Sequence, residues 1–307
     1  MRAAILNSPG ADPQVGEFDD PIAADGQALV DVSLAGVNPI DIRVASGQFG
    51  GPRVPSIVGF EGVGTLADGR RVYFSPAISP YGSWAERALV DPALTFPVPD
   101  GLSDDLAVAM GIPALAAWLA LEHHAHVGSA DNVLVLGATG TVGRVAVQGA
   151  KLLGAARVTA AARDADALRS LRPLGVDATV VLGAGDDAQA LKDASDGGFD
   201  VVIDPLYGAP FEAALGATAL HARVVTLGES AGAEARVPFR ALQGRTHIGH
   251  GSQLIAKEIV RDTYARLTRH ALAGEIEVEV ERFSLEHAVD AWHAQQRAPR
   301  RKLLVAP

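Results

Sequence analysis

The sequence predicts an α/β chain in which a doubly wound parallel sheet is inserted between two parts of a β domain. Three observations predict it. A glycine turn joins a continuous apolar strand to an amphipathic helix, strand and helix patterns alternate through the middle of the chain, and both ends show an irregular β texture. The length of 307 residues fits about two domains, because one hydrophobic core stops growing near that size.

Residues 1–102 carry short apolar stretches at 28–32, 70–73 and 84–90, broken by Gly, Pro and Asp, as strands and turns require. Pro92, Pro97 and Pro99 mark a linker. Ser103, Asp104 and Asp105 then signal a helix start, and residues 103–273 read as the dinucleotide-binding part. Within it, 133–137 (VLVLG), preceded by Asp131 and Asn132, lacks alternation and reads as a fully buried strand. A helix follows over 141–154, with Val142, Val145, Ala146, Gly149, Leu152 and Leu153 on one face. Further strands are expected at 157–161, 178–181, 200–203 and 223–227. Residues 274–307 return to the first domain: 275–283 alternates charged and apolar residues as a half-exposed strand should, a helix follows over 285–296, and 302–307 closes the chain as a strand.

Composition narrows the function. Lys and Arg number 26 against 36 Asp and Glu, a formal net charge of −10, the opposite of what a nucleic-acid-binding surface needs. A basic tail of Arg297, Arg300, Arg301 and Lys302 is too short to reverse that reading, so no nucleic-acid partner is expected. No cysteine is present, which removes disulfides, thiol nucleophiles and Cys-ligated metal together. The apolar run 106–121 is interrupted by Gly111 and Pro113 and is short for a membrane span, so it reads as a buried helix with a break. The first residues lack the apolar run of a signal peptide, and the expectation is a cytoplasmic protein without membrane contact.

The chemistry is carried by LGATGTVG, with Gly137, Gly140 and Gly143 between strand and helix. Glycines there permit a tight turn and close approach of backbone amides to a pyrophosphate, which the helix N-terminus attracts with its dipole. One strand further on, an NAD site wants an acid for the ribose 2′-OH, and an NADP site wants a nearby Arg. The chain offers RVTAAARD: no acid at Ala160, Ala161 or Ala162, then Arg163. Arg163 is read as the 2′-phosphate partner, with a solvated loop arginine as the bland alternative. Asp164 is expected to cap the next helix. NADPH is therefore the expected cofactor.

Short-chain dehydrogenases share such turns but use a Tyr with a Lys four residues on. Here the residues four beyond Tyr73, Tyr81, Tyr207 and Tyr264 are Ala77, Ala85, Phe211 and Thr268, so that chemistry is missing. Nearly end to end, through AGVNPIDIRVASGQF, GFEGVGTL, GSWAERALV, GIPALAAWLAL, LGATGTVGRVAVQGAKLLGA and RKLLVAP, the chain instead resembles the medium-chain dehydrogenase/reductase superfamily. Within it the likeness is to the zinc-independent quinone oxidoreductases related to zeta-crystallin. The resemblance implies a Rossmann domain plus a GroES-like β domain, and a homodimer joined through Rossmann edge strands, for which 246–251 is the candidate. Carried over residue by residue, it implies pyrophosphate contacts at Thr139, Gly140, Thr141 and Val142. It places Leu206 and Tyr207 on the ribose side, and Leu227, Gly228 and Ser252 near the nicotinamide. Each of these could equally be a packing or turn residue.

Zinc-dependent members place Cys, His and Cys around a catalytic metal, whereas Asn38 and Phe60 stand at matching places here. No metal is expected, and the cluster His123, His124 and His126 reads as a solvated helix end. Asn38 matches a position beside the nicotinamide ribose and the substrate. Asp41 is a candidate for proton transfer, with a brace for the local helix as the blander role. Where relatives carry tyrosines after this motif, the chain has Ile42, Arg43 and Phe49, which alters the substrate pocket. The expected activity is hydride transfer from NADPH to a quinone or similar electrophilic unsaturated carbonyl, by positioning and desolvation. Two rivals stand beside it: an enoyl or alkenal reductase, and a non-catalytic NADPH-binding redox sensor.

Overall fold

The protein is described by a computed structural model over residues 1–48 and 50–307; Phe49 lies outside the described residues. The chain divides into two compact units, one of residues 1–113 and 257–307, the other of 114–256.

The first unit begins with β1 (Arg2–Leu6), β2 (Gln14–Glu17) and β3 (Ala28–Val37), followed by the short helix α1 (Pro39–Ala45). After β4 (Ser56–Ile57) come β5 (Gly62–Leu66), β6 (Arg71–Phe74), β7 (Arg87–Val90) and β8 (Thr95–Pro97). Helix α2 (Asp104–Ala109) starts where expected, with the Ser103 hydroxyl accepting from the Leu106 N–H at 3.3 Å. The anticipated break falls at Met110 and Gly111, before α3 (Ile112–Leu119). Gly111 is required there: a Cβ would collide with the Glu61 carboxylate and the Tyr73 ring.

In the second unit a π-helical turn (Ala120–His124) precedes β9 (Asn132–Leu136), α4 (Thr141–Leu152), β10 (Arg157–Ala162) and α5 (Ala165–Arg169). β11 (Ala178–Val181), α6 (Asp187–Ala194), β12 (Phe199–Asp204), α7 (Gly208–Leu215) and β13 (Thr218–Thr226) follow, then α8 (Phe239–Leu242) and β14 (Thr246–Gly249). The sheet order is β11-β10-β9-β12-β13-β14 and every pairing is parallel. Counted along the chain that is 3-2-1-4-5-6, the Rossmann order, with its reversal of direction between β9 and β12. In both strands at the reversal the central residues, 133–136 and 201–203, are apolar and buried, because helices cover both faces. Leu134, Phe199, Val202, Phe211 and Val224 share one core cluster.

The chain then returns to the first unit through α9 (Lys257–Leu272), β15 (Val280–Ser284), α10 (Ala288–Gln296) and β16 (Lys302–Ala306). β16 pairs antiparallel with β3, completing a sheet of order β15-β16-β3-β5-β6-β8 onto which β7 adds beside β3. Trp84 and Trp292 meet edge to face in its core, with ring centres 5.9 Å apart.

Two readings of texture differ from this architecture. α2 and α9 pack with the first unit, not with residues 103–273, because Tyr264 of α9 stacks on Tyr73 at 4.7 Å and donates its hydroxyl to the Ala107 carbonyl. The strand expected over 275–283 begins only at Val280, opposite Lys302, since β16 offers no earlier partner.

Candidate functional site

In the second unit the expected cofactor residues converge on one edge of the sheet. Thr139 to Gly143 follow β9, Arg163 follows β10, Leu206 and Tyr207 follow β12, Leu227 and Gly228 follow β13, and Ser252 lies beyond β14. All stand at carboxyl ends of parallel strands, where open α/β sheets bind ligands.

The glycine turn is shaped for a close approach. Gly137 has φ +59°, and a Cβ at Gly143 would collide with the Gly137 carbonyl and Ala138. Gly140 is the N-cap of α4 and supplies no side chain, so the amides of Thr141, Val142 and Gly143 open the helix without a carbonyl four residues back. A Cβ at Gly137 would lie 3.0 Å from Leu206 Cδ2, which places the two loops of the reversal point side by side. Arg163 is exposed at the end of β10, and Asp164 caps α5 by accepting from Asp166 and Ala167, each at 2.9 Å.

The loop after β12 is held by a buried carboxylate that sequence reading missed. Asp204 Oδ1 accepts the Leu206 and Tyr207 amides at 2.8 and 2.9 Å. Burial pushes its pKa up while those amides pull it back. The bonds hold Tyr207 at φ 55°, ψ −163°, a region that glycine alone occupies freely. Gly228 packs beneath, 2.9 Å from the Pro205 carbonyl if given a Cβ.

His124 is not part of a solvated helix end. The π turn half-buries His123 and His124 and leaves His126 exposed. His124 Nε2 lies 3.2 Å from His250 Nδ1, and His250 Nε2 lies 2.9 Å from the Ser252 hydroxyl. Burial, then the neighbouring His124 and His123, pushes His250 down to about 4, so it stays neutral. This line connects Ser252 to the interior, and no local signal announces it because its members are 126 residues apart.

In the first unit the site is a buried polar network around α1. Asn38, Asp41, Glu61 and Lys302 are each 3% exposed or less. The Asn38 backbone N–H donates to Asp41 Oδ2 at 2.6 Å, so Asp41 does brace the helix. Its other oxygen, Oδ1, is buried with no hydrogen-bond partner among the described residues. Burial lifts the Asp41 carboxyl to about 7; the Asn38 backbone N–H, the Lys302 charge and the Phe60 backbone N–H oppose the shift, and Glu61 adds to it. A cavity of about 120 Å³ is lined by Asp41, Val44, Arg53, Ser56, Phe60 and others of this unit.

Lys302, which composition alone groups with an exposed basic tail, is inside. Its ammonium donates to Glu61 Oε1 and Asn38 Oδ1, both at 2.6 Å, and to the Val37 carbonyl at 3.0 Å. Glu61 also accepts from Asn38 Nδ2 at 2.9 Å, and from the Tyr73 hydroxyl and the Ile112 amide, both at 2.7 Å. Among the described residues no three of His, Cys, Asp and Glu come together as metal donors.

Residues 24–100 match the family described as the alcohol dehydrogenase GroES-like domain, and residues 141–268 match the zinc-binding dehydrogenase family. The chain belongs to the medium-chain dehydrogenase/reductase superfamily. Within this superfamily it is 39% identical to a quinone oxidoreductase of Pongo abelii over 152 residues, 44% of this chain and 46% of that one. The match thus spans about half the length of that relative. A mycocerosic acid synthase-like polyketide synthase of Mycobacterium tuberculosis is 30% identical over 227 residues, 69% of this chain and 10% of that one. The fold is also that of Escherichia coli quinone oxidoreductase complexed with NADPH, with a TM-score of 0.91, 22% identity and full coverage of both chains. The first unit is accordingly GroES-like and the second a Rossmann unit.

Two outcomes test this geometry. Tyr207→Gly should be more stable than Tyr207→Ala by at least about 2 kcal/mol, since relief of the dihedral adds to the ~1 kcal/mol that an N-cap position grants glycine. Equal melting would show that the strained dihedral is not kept. Asp41 is neutral in the folded chain up to about pH 7, while an unfolded carboxyl ionises near ~3.9. Between those values the folded state holds the extra proton, so this group's contribution to stability declines as pH rises through that window. Asp41→Asn should therefore gain melting temperature relative to the native chain between pH 4 and pH 7, as read by paired thermal melts.

Proposed function

We propose that the chain is an NADPH-dependent oxidoreductase that passes a hydride to a quinone or similarly electron-poor unsaturated carbonyl, without zinc. The carrying observation is the glycine turn at the carboxyl end of β9, where Gly143 packs so closely on Gly137 and Ala138 that a Cβ would collide with them and the amides of Thr141, Val142 and Gly143 open α4 without a carbonyl four residues back. That cradle fits a pyrophosphate. Thr139, Gly140, Thr141, Val142 and Gly143 would hold it, with Gly137 making the turn. Arg163 would meet the 2′-phosphate at the end of β10, where no acid opposes it. Leu206 and Tyr207 would flank the ribose, and Leu227, Gly228 and Ser252 the nicotinamide.

When bound, NADPH supplies the hydride from C4 of its nicotinamide ring. The protein's share is orientation and exclusion of water, with Asn38 beside the substrate and Asp41 fixing the helix that carries it. The proton that completes reduction at the acceptor oxygen comes from water or a ribose hydroxyl. Substrates would then be intrinsically electrophilic, since no metal donor set among the described residues is there to polarise the carbonyl. The quinone oxidoreductase name of the Pongo abelii relative and the NADPH in the Escherichia coli complex support this reading. β14 ends the Rossmann sheet with one side unpaired among the described residues, and we propose it as the seam of a homodimer.

A second reading, an NADPH-binding sensor without turnover, is favoured by one feature: Ile42 and Arg43 stand where relatives carry tyrosines. Purified protein with NADPH and separate panels of 1,4-quinones and enones, with and without EDTA, decides among these. Oxidation with quinones, unchanged by EDTA, is expected; preference for enones would favour alkenal reduction, and binding without oxidation the sensor. Arg163→Ala should raise KM for NADPH by about one to two decades, from the loss of a charge-assisted contact of ~1.5–3 kcal/mol, and leave NADH unaffected. Equal losses with both cofactors would refute the 2′-phosphate assignment.

A further inference from the structure

We infer that Lys302 is a positioning residue: with Glu61 it clamps the Asn38 side-chain amide in one of its two orientations. The inference rests on the reading above that Asn38 stands beside the substrate.

An ammonium can only donate and a carboxylate can only accept. Lys302 Nζ places its three N–H groups on Val37 O, Asn38 Oδ1 and Glu61 Oε1. Glu61 Oε1 in turn takes Asn38 Nδ2, while Oε2 takes the Tyr73 hydroxyl and the Ile112 amide. Turning the amide over would set its oxygen against the carboxylate and its NH2 against the ammonium, losing both bonds and adding two repulsions. Only one orientation survives, and the second N–H of Asn38 is fixed with it.

Stability alone is a poor reason for such a pair. Lys302 and Glu61 side chains are 2% and 0% exposed, and burying an ion pair commonly yields no more than well-packed apolar residues would. What an apolar pair could not do is orient an amide. Lys302 also comes from β16, the last strand, which pairs with β3 immediately before Asn38. The returning segment thereby completes the site.

Lys302→Met alone strands a buried charge and is expected to melt early. Glu61→Gln/Lys302→Met removes both charges, keeps an acceptor oxygen for Tyr73 and Ile112, and faces Asn38 with an NH2 that turns its amide over. The double variant should fold, bind NADPH with a Kd within about twofold of the native value, and lose about tenfold or more in kcat with 1,4-quinones. Its Asn38 side-chain amide signals should move in 15N spectra. In the native chain those two protons, assigned by their loss in Asn38→Ala, should be well separated and slow to exchange, a measurement that does not depend on any variant folding.

Fast-exchanging, averaged amide protons in the native chain would overturn the clamp. A folded double variant whose amide has moved but whose kcat is native would overturn the positioning role. If the native chain oxidises no NADPH with any acceptor, the functional reading fails, and the clamp is still judged by the amide signals alone.

Discussion

A charge taken out of water must meet its opposite or lose its charge, and that constraint organises the first unit. Lys302 and Glu61 are both inside, so the last strand has to reach the sheet in one register, with Lys302 beside Val37 and Asn38. A slip of one residue would turn Lys302 to the other face of β16 and leave Glu61 unpaired. The register β16 adopts against β3, with Leu303 opposite Val37, is therefore enforced by electrostatics as well as by the apolar run Leu303–Val305. Gly111 belongs to the same constraint: only a residue without Cβ lets the chain pass Glu61 closely enough for the Ile112 amide to bond it.

The second unit relies on backbone where the first relies on charge. Its candidate site is made of amides at strand ends, and its side chains shape loops more than they offer reactive groups. Asp204 illustrates this: it is 0% exposed, and its carboxylate is committed to the amides of Leu206 and Tyr207, leaving it as scaffold. The strained Tyr207 dihedral is what that scaffold imposes.

Legibility followed the range of each interaction. The glycine turn was readable because its cause is local: glycine spacing, a buried strand before and an amphipathic helix after. The Asp164 cap and the break at Gly111 were readable for the same reason, although the partner that requires Gly111, Glu61, was not. Glu61 sits in the quoted GFEG beside Phe60, yet nothing nearby says that its carboxylate is buried. Lys302 is the clearest case. Beside Arg300 and Arg301 it looks like a solvated tail, and only a partner 241 residues away makes it a core residue. Tyr207 carried no hint of a positive φ, since residue type argues against it, and the His124–His250–Ser252 line required the fold to bring its ends together.

Charge counting ties Asp41 to the same network. Asp41 is buried beside the Glu61–Lys302 pair, and burial above all disfavours its charged form, with the Glu61 carboxylate adding to the cost. The Asn38 N–H and the ammonium soften that cost but do not remove it, so Asp41 keeps its proton until about pH 7. The residue that braces α1 thus holds a proton at the wall of a cavity, and its ionisation is set first by burial, against which the Asn38 backbone N–H and a lysine from the far end of the chain both act. Charge on Lys302 and the proton on Asp41 are in this way two terms of one electrostatic balance, and the orientation of Asn38 lies between them.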